Sequence, residues 1–438
     1  MNLKQTDPQI YKLIKLEEKR QREVLEMIPS ENYTSRAVME ALGTVLTNKY
    51  SEGYPKKRYY QGNKIIDDVE SLAIDRAKKL FDVPYVNVQP LSGSPANTAV
   101  YFALLKPGDK LMGLSLAFGG HLTHGLALNV SGKFYKSIQY ELGKDGFLDY
   151  DAIEKMAIFE KPKIIICGYT AYPRIIDFER FGKIADKVGA LLMADVAHIA
   201  GLIAAGVHPS PVPYAHIVTT TTHKTLRGPR GAMIMVTAKG LKKDPEMGKK
   251  IDSAIIPGLQ GGPHDNTTAA IAVVLKEDAT PEFKKYGQQV VKNAKVLGEE
   301  LSRLGFDLVS GGTDNHLILI DLRNKGVNGK IAAYALEVAN IVINMNGVPF
   351  DTRPPFYPSG IRLGTPAITT RGMGKGEMLK IANWITQAID AIKDEKLPEA
   401  KEKRSDFVKA FRLRADKNKK LLQIAKEVKT LTSKFPTP

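Results

Sequence analysis

The sequence predicts an α/β protein with a large domain built on a mostly parallel, seven-stranded sheet and a smaller α+β domain after it. Short apolar stretches alternate with helical stretches between about residues 85 and 236, the pattern of strand–helix–strand units. The pattern changes after Ala279–Pro281, where a long amphipathic stretch leads into a shorter region of mixed character. A length of 438 residues is enough for two or three domains of roughly 150 residues each.

Seven short stretches rich in apolar or β-branched residues are the predicted strands of the large sheet. The helices between them include Asp149–Phe159 and Asp177–Val188, and ligands are expected at the carboxyl ends of the strands. The first strand begins the segment Val86–Leu105, and the others are Lys110–Leu114, Lys133–Tyr140, Lys163–Gly168, Ala190–Asp195, His216–Thr222 and Ala232–Val236.

Helical periodicity predicts the elements outside this sheet. Helices are expected at Pro8–Met27, Ile65–Leu80, Glu282–Leu304, Gly329–Asn340 and Lys375–Ile392, with strands at His316–Asp321 and Ser359–Pro366. The domain division that follows is a helical arm (1–30), a large domain (31–280), a small domain (281–392) and a basic helical tail (393–438).

The formal net charge of +16 suits anionic ligands, although residues 391–438 contribute 14 Lys and Arg against 7 Asp and Glu. This tail is expected to be a solvated amphipathic helix. No nucleic-acid partner is expected, because basic–aromatic interleaving is missing. The single cysteine, Cys167, excludes an intrachain disulfide. With no signal peptide or long apolar run, the sequence predicts a cytoplasmic protein without a membrane partner.

The stretch Val218–Gly231, which reads VTTTTHKTLRGPRG, places Lys224 where a β-branched strand runs out into a loop. The cations Arg227 and Arg230 follow, and neighbouring positive charge is one way in which a protein lowers an amine pKa and makes the amine nucleophilic. A lysine in an ordinary basic surface loop is the alternative interpretation.

Several other motifs add the groups that a pyridoxal phosphate enzyme needs. Asp195 follows a buried strand and is a candidate partner for a pyridine nitrogen, or else a helix cap. Ser92–Ser94 opens a helix and is a candidate phosphate cradle, or else a plain N-cap. His121 in FGGHLTHG is a candidate ring contact. Its HxxH spacing from His124, with help from His198 or Asp195, leaves a metal site as a competing interpretation. Catalytic zinc needs three convergent ligands and no HExxH motif or Cys cluster supports the site, so no metal is expected.

Three further features each allow a functional and a purely structural interpretation. Arg362 in SGIRLGTP is a candidate for bidentate binding of a carboxylate, or an interior ion pair. Glu52 is a candidate proton-transfer residue, or an exposed loop carboxylate. The glycine-rich segment Pro257–Asn266 suits phosphate binding or a flexible loop. No dinucleotide or P-loop motif is present, which disfavours a nucleotide.

The chain resembles serine hydroxymethyltransferase, a family of fold-type I pyridoxal phosphate enzymes, from about Ile28 to Ile392. The resemblance is carried by SENYTS, LTNKYSEGYPKKRYY, VQPLSGSPAN, GGHLTHG, ADVAHIAGL, VTTTTHKTLRGPRG, PGLQGGP, SGGTDNH and SGIRLGTPA, in this order. It implies reversible transfer of the hydroxymethyl carbon of serine to tetrahydrofolate, which yields glycine and 5,10-methylenetetrahydrofolate.

The resemblance also implies roles for single residues. Lys224 holds the cofactor covalently, Asp195 pairs with its ring nitrogen, His121 stacks on the ring, and Thr221 bears on reaction specificity. Further cofactor contacts are implied for Ser92, Gly93, Ser94, Thr170, His198, Tyr50, Gly261 and Gly262.

Substrate binding is implied for Ser30, Tyr60, His198 and Arg362, and Glu52 manages the proton of the serine hydroxyl. Tyr50, Glu52, Tyr60, Gly261 and Gly262 come from a neighbouring subunit, so a homodimer with a shared site is expected and a tetramer is left open. Folate is expected near Leu116, Gly120, His121, Leu122, Asn346 and Phe356.

Two other functions compete with this one. A folate-independent aldolase acting on threonine or allo-threonine would use the same lysine, aspartate and arginine. A basic nucleic-acid-binding homologue is the alternative from a different class of protein.

Overall fold

The computed structural model describes residues 2–438, which form two compact units. One unit is Thr34–Val291. The other combines the residues up to Tyr33 with Lys292–Pro438. None of the helices formed by residues 2–438 has both the length and the apolarity that a bilayer crossing needs.

The unit 34–291 contains the predicted seven-stranded sheet. Its strands are β1 (Tyr85–Asn87), β2 (Lys110–Leu114), β3 (Lys136–Tyr140), β4 (Ile164–Cys167), β5 (Leu191–Asp195), β6 (Ile217–Thr221) and β7 (Ala232–Val236). The spatial order is β1-β7-β6-β5-β4-β2-β3, and only β7 runs against its neighbours within this sheet of described residues. The predicted mostly parallel α/β sheet is therefore confirmed.

The strand boundaries follow from the sequence. Strands β4 to β7 are buried along almost their whole length, as expected for a parallel sheet covered on both faces. The predicted strand Lys133–Tyr140 is too long, because Asn129 caps a short helix at Val130–Phe134 and the strand begins at Lys136.

The helices and short elements of this unit surround the sheet. Two short strands, Gly53–Tyr54 and Lys57–Arg58, form a hairpin. The α-helices are Arg36–Leu42, Lys64–Phe81, Gly93–Leu104, Val130–Phe134, Tyr150–Glu160, Phe178–Val188, Ala200–Ala204, Ala238–Lys243, Met247–Ser253 and Asp265–Asp278, and Pro281–Arg303 begins here; single turns lie at Val45–Asn48, Leu116–Phe118 and Ala254–Leu259.

The second unit is an α+β structure built on a four-stranded antiparallel sheet. The sheet order is Asp307–Leu308, Leu317–Asp321, Gly360–Gly364 and Asn344–Asn346. The N-terminal helix ends at Glu23 rather than at the predicted Met27, since Leu25–Glu26 forms a parallel strand pair with Ile341–Val342. The helices are Leu3–Thr6, Pro8–Glu23, Gly329–Val338, Pro366–Thr370, Lys375–Asp390, Lys401–Ala415 and Lys419–Thr432, with a single turn at Val309–Gly311.

The basic tail belongs to the core of this unit, whereas the sequence predicts a separate segment on a solvated helix. It forms two helices whose apolar faces are buried. The Arg371 guanidinium uses all five of its N–H groups on backbone carbonyls, those of Gln21, Arg22, Val24, Thr432 and Phe435. The buried tail residues are Val408, Phe411, Ala415, Leu421, Ile424, Val428 and Leu431.

We expect Phe411→Ala to lower the free energy of unfolding by about 3–5 kcal/mol, because it deletes a buried ring and leaves a cavity. Chemical denaturation monitored by circular dichroism measures the loss. Leu413→Ala, on the same helix but 67% exposed, is the matched control and should change stability by less than about 0.5 kcal/mol. Equal losses in the two variants would show that the tail is solvated after all.

Candidate active site

A pocket opens at the carboxyl end of β5 and β6. Asp195 ends β5, Thr221 ends β6, and the pairing of Asp195 with Thr219 brings the two strand ends side by side. The pocket is lined by Gly93, His121, His124, Tyr169, Thr170, Asp195, Ala197, His198, Thr221 and Lys224.

The carboxylate of Asp195 is held in place from several sides. Its Oδ2 accepts a hydrogen bond from Asn97 Nδ2 at 2.8 Å and lies 3.1 Å from His124 Nε2. Its Oδ1 accepts from the backbone N–H of Ala197 at 3.1 Å. Burial by itself would raise the pKa of Asp195, but the hydrogen bonds from His124 and Asn97 and the electrostatic interaction with the two imidazole rings outweigh it and lower the pKa below its usual range. The group is therefore an ionised carboxylate at neutral pH.

His121 lies beside this carboxylate as a neutral ring. Burial lowers the pKa of His121 to about 4. Its electrostatic interactions with His124 and Lys224 act in the same direction, and that with Asp195 opposes them. Its Nδ1 lies 2.7 Å from Thr123 Oγ1, which also accepts from Asn97 Nδ2 at 2.8 Å. One chain of hydrogen bonds therefore fixes both His121 and Asp195.

Lys224 sits on the loop that turns the chain from β6 into the antiparallel strand β7. The loop is closed by hydrogen bonds from Gly228 N to the Thr222 carbonyl (2.7 Å) and from Thr222 Oγ1 to the Pro229 carbonyl (2.6 Å). Thr225, the next residue, donates to the carbonyl of His198 at 3.0 Å, which joins the loop to the segment after Asp195. Lys224 is therefore presented to the pocket from a fixed loop.

Arg227 holds this loop and does not line the pocket. It has a positive φ of 63°, and its guanidinium lies 4.3 Å from the ring centre of Tyr286 and 5.4 Å from that of Phe283. The sequence suggests Arg227 as a neighbouring charge that makes the Lys224 amine nucleophilic, whereas these contacts favour a role in holding the loop.

The helix Gly93–Leu104 points its N-terminus at the pocket. Ser92 is its N-cap residue, but the Ser92 side chain makes no capping hydrogen bond, so the first-turn amides remain available to an anion. A Cβ added at Gly93 would lie 2.8 Å from Thr221 Cγ2, so only glycine fits there. Of the predicted Ser92–Ser94 cradle, Gly93 lines the pocket.

These residues fit pyridoxal phosphate, the cofactor that the resemblance implies. The pocket offers an amine, an ionised carboxylate for a protonated ring nitrogen, a neutral ring for stacking and a helix N-terminus for the phosphate. His121, His124 and Asp195 also bring ligand atoms within 4.8 Å of one another, as the competing metal interpretation requires. However, Asp195 Oδ2 and His121 Nδ1 already have protein partners.

A second group of predicted residues lies together on the surface of the same unit. Tyr50 donates a hydrogen bond to Glu52 Oε1 at 3.1 Å, and the Tyr50 and Tyr60 rings meet edge-on with centres 5.3 Å apart. A Cβ added at Gly261 would lie 3.1 Å from Glu52 Oε1, and one at Gly262 would lie 3.7 Å from the Tyr50 ring. None of these five residues is among those lining the Lys224 pocket in residues 2–438.

The other unit carries the predicted carboxylate-binding arginine. Arg362 is buried, and its Nε donates to Asn344 Oδ1 at 3.1 Å. Burial lowers its pKa to about 10, so it stays charged at neutral pH. Gly364 N donates to the Met27 carbonyl at 2.8 Å, so the strand of Arg362 adjoins the segment that leads to Ser30.

The expected folate residues are divided between the units. In the unit 34–291, Leu116 and Leu122 expose large apolar side chains, and Gly120 is buried where a Cβ would meet the Leu114 carbonyl. In the other unit, Phe356 is 75% exposed and Asn346 donates to the Gly347 carbonyl.

Sequence reasoning missed the roles of Asn97, Thr123 and Thr219 in fixing the site, and it named His124 only as part of the competing metal site. Asn97 joins Asp195, Thr123 and Thr219, and His124 bonds Asp195 directly. Asn97 lies one helical turn beyond Gly93 and so faces the same side of the helix, which was an available signal. The contact between His124 and Asp195 spans 71 residues, and the sequence placed the two together only in the competing metal interpretation.

Comparison with known proteins gives one consistent result. A family model described as serine hydroxymethyltransferase matches residues 3–385. The serine hydroxymethyltransferase of Desulfotalea psychrophila is 56% identical over 436 residues, which cover 100% of this chain and 96% of the relative. That of Acidothermus cellulolyticus is 56% identical, covering 99% and 96%. That of Legionella pneumophila is 56% identical over 394 residues, covering 90% and 93%.

Proposed function

The chain belongs to the serine hydroxymethyltransferase family, and from that premise we propose that the pocket around Lys224 is where its reaction takes place. The enzyme transfers the hydroxymethyl carbon of serine to tetrahydrofolate, reversibly, with pyridoxal phosphate as cofactor and glycine as the amino-acid product. The observation that carries the site assignment is that one pocket contains both Lys224 and an Asp195 carboxylate that stays ionised.

Each pocket residue then has a defined task. Lys224 binds the cofactor covalently through Nζ, and Asp195 holds the proton on its ring nitrogen. His121, neutral at physiological pH, packs against the ring, while Ser92, Gly93, Ser94 and the helix N-terminus bind the phosphate. The bound cofactor supplies an electron sink for the electron pair released when the Cα–Cβ bond of serine breaks. Thr170, His198 and Thr221 complete the wall of the pocket.

The substrate-binding residues extend this proposal. Arg362 binds the carboxylate of serine, since a planar guanidinium suits bidentate binding and stays charged at neutral pH. Ser30, Tyr60 and His198 position the amino acid. Glu52 accepts the proton of the serine hydroxyl as the Cα–Cβ bond breaks. Folate binds near Leu116, Gly120, Leu122, Asn346 and Phe356, where exposed apolar side chains suit its ring system.

The active form is proposed to be a homodimer in which each site takes Tyr50, Glu52, Tyr60, Gly261 and Gly262 from the second subunit. This surface continues into exposed apolar side chains: Gln260 bonds the backbone of Leu91, and Phe102 lies beside Gly258. Exposed apolar patches of this kind mark protein–protein contacts. A cytoplasmic location is also part of the proposal, on the strength of the single, buried cysteine.

Folate dependence tests the reaction assignment. Glycine formation from serine should require tetrahydrofolate, whereas an allo-threonine-type aldolase would cleave its substrate at the same rate without it. Leu122→Ala should raise the KM for tetrahydrofolate about tenfold through lost apolar burial, and Leu128→Ala, 82% exposed, is the control. Glycine formation from serine that ignores tetrahydrofolate would contradict the proposal and support the aldolase.

Mixing two inactive variants tests the shared site. Lys224→Ala and Glu52→Gln homodimers, exchanged by mild denaturation and refolding, should regain about a quarter of the wild-type activity, because half of the dimers are mixed and each holds one intact site. Two variants of the same residue, Lys224→Ala and Lys224→Gln, serve as the control and should regain none. Absence of recovery after verified subunit exchange would mean that Glu52 acts within its own subunit.

A further inference from the structure

We infer that Arg58 is a positioning residue for the carboxylate of Glu52, an inference that rests on the proposed role of Glu52. Arg58 ends the second strand of the hairpin that follows Glu52, and its side chain is only 3% exposed. Its Nη1 donates to the carbonyl of Ser51 at 2.8 Å and to the carbonyl of Gly53 at 3.0 Å. These are the two residues that flank Glu52, so one guanidinium nitrogen holds the backbone on both sides of it.

The guanidinium is itself fixed by two carboxylates, of which that of Glu70 is buried. Its Nε donates to Asp67 Oδ1 at 2.8 Å and its Nη2 to Glu70 Oε2 at 2.7 Å, both on the helix Lys64–Phe81. Gln89 Nε2 bonds Glu70 Oε1 at 2.8 Å and the Gly53 carbonyl at 3.0 Å. The hairpin is therefore tied to the helix Lys64–Phe81 and to the segment that follows β1 by a network of side-chain hydrogen bonds.

The backbone at Glu52 has further restraints. Ser51 Oγ donates to both oxygens of Asp265, at 2.7 and 2.9 Å, and the N–H of Tyr59 donates to the Glu52 carbonyl at 3.0 Å. Gly53 has a φ of 97°, and a Cβ there would lie 2.3 Å from the Lys57 carbonyl, so this turn admits only glycine. Polar groups from three directions thus fix the carbonyls of residues 51 to 53.

This arrangement sets the direction of the Glu52 side chain. The Glu52 side chain is partly exposed and its carboxylate accepts a hydrogen bond from Tyr50, so its aim depends on the backbone beneath it. A misplacement of about 1 Å in a reacting group lowers a rate by about a hundredfold. Lysine cannot replace arginine here, because a single ammonium cannot reach two carbonyls and two carboxylates in fixed directions at once.

A double-mutant cycle on the holoenzyme tests this role. Arg58→Lys alone should lower kcat for folate-dependent serine cleavage by about ten- to a hundredfold, with the amount of bound cofactor unchanged. Combined with Glu52→Gln, it should add less than about a twofold loss, because the group that it positions is already disabled. Arg76→Lys is the matched control and should leave kcat unchanged, because Arg76 lies on the helix that carries Asp67 and Glu70 but bonds the Ala272 carbonyl.

Hydrogen exchange supplies a readout that is independent of activity. The Tyr59 amide should exchange faster in Arg58→Lys than in the parent protein. If Arg58→Lys does not fold, Gln89→Met is the substitute, because it removes one hydrogen bond to the Gly53 carbonyl. It should lower kcat and speed exchange of the Tyr59 amide in the same way, but by less. Rate losses that multiply in the double variant would overturn the positioning role. An unchanged rate in Glu52→Gln alone would instead overturn the proposed role of Glu52.

Discussion

Lys224→Ala should abolish covalent attachment of pyridoxal phosphate and lower kcat for serine cleavage by about a thousandfold or more. The amine is the nucleophile that the loop between β6 and β7 presents to the pocket, and the lining residues offer no second lysine. The pocket should still bind the cofactor non-covalently, because Asp195, His121 and the helix N-terminus are unchanged. Reduction with borohydride followed by peptide mass spectrometry locates the covalent adduct.

Lys239→Ala is the control for this experiment. Lys239 is paired with Asp186 at 2.8 Å on a different part of the same unit. Its loss should leave the covalent adduct and the absorbance of the bound cofactor intact. A reducible adduct that persists in Lys224→Ala would place the attachment site elsewhere and contradict the proposed chemistry.

Glu52→Gln should slow folate-dependent cleavage of serine by about a hundred- to ten-thousandfold, the range that general acid–base groups contribute. Glutamine keeps the shape and the hydrogen bond with Tyr50 but cannot take up a proton. The cofactor absorbance and the dissociation constant for glycine should change little, since Asp195 and Lys224 are untouched. Steady-state kinetics together with cofactor titration measure both effects.

Glu40→Gln is the matched control, because that glutamate lies on the surface in a pair with Arg36. It should retain the parent rate. A Glu52→Gln enzyme as fast as this control would show that the serine proton leaves by another route.

The sequence was sufficient for the features that depend on local pattern. Neighbouring residues alone predict the seven apolar strands, the position of Asp195 at a strand end and the glycine at position 93. Strand spacing also predicts that Asp195 and Lys224 meet at one edge of the sheet. The family resemblance supplied the roles of Tyr50, Glu52 and Arg362, which periodicity alone left open.

What the sequence did not predict depends on contacts between distant segments. The bond between Asn97 and Asp195 joins residues 98 apart, and that between Ser51 and Asp265 joins residues 214 apart. The tail illustrates the same limit. Its many lysines indicate solvent exposure, but Phe411 and Ile424 are buried because the rest of the unit provides an apolar face for them. Composition reports the average of a segment and not the face that it buries.

The five backbone carbonyls that Arg371 binds have a consequence for the order in which the two units fold during synthesis. Residues 21–24 leave the ribosome early, whereas their partners around Thr432 and Phe435 emerge roughly 400 residues later. The unit 34–291 is continuous in sequence and can fold during synthesis. The other unit has to wait for the last helix. We therefore expect its early segment to dock only when translation is complete.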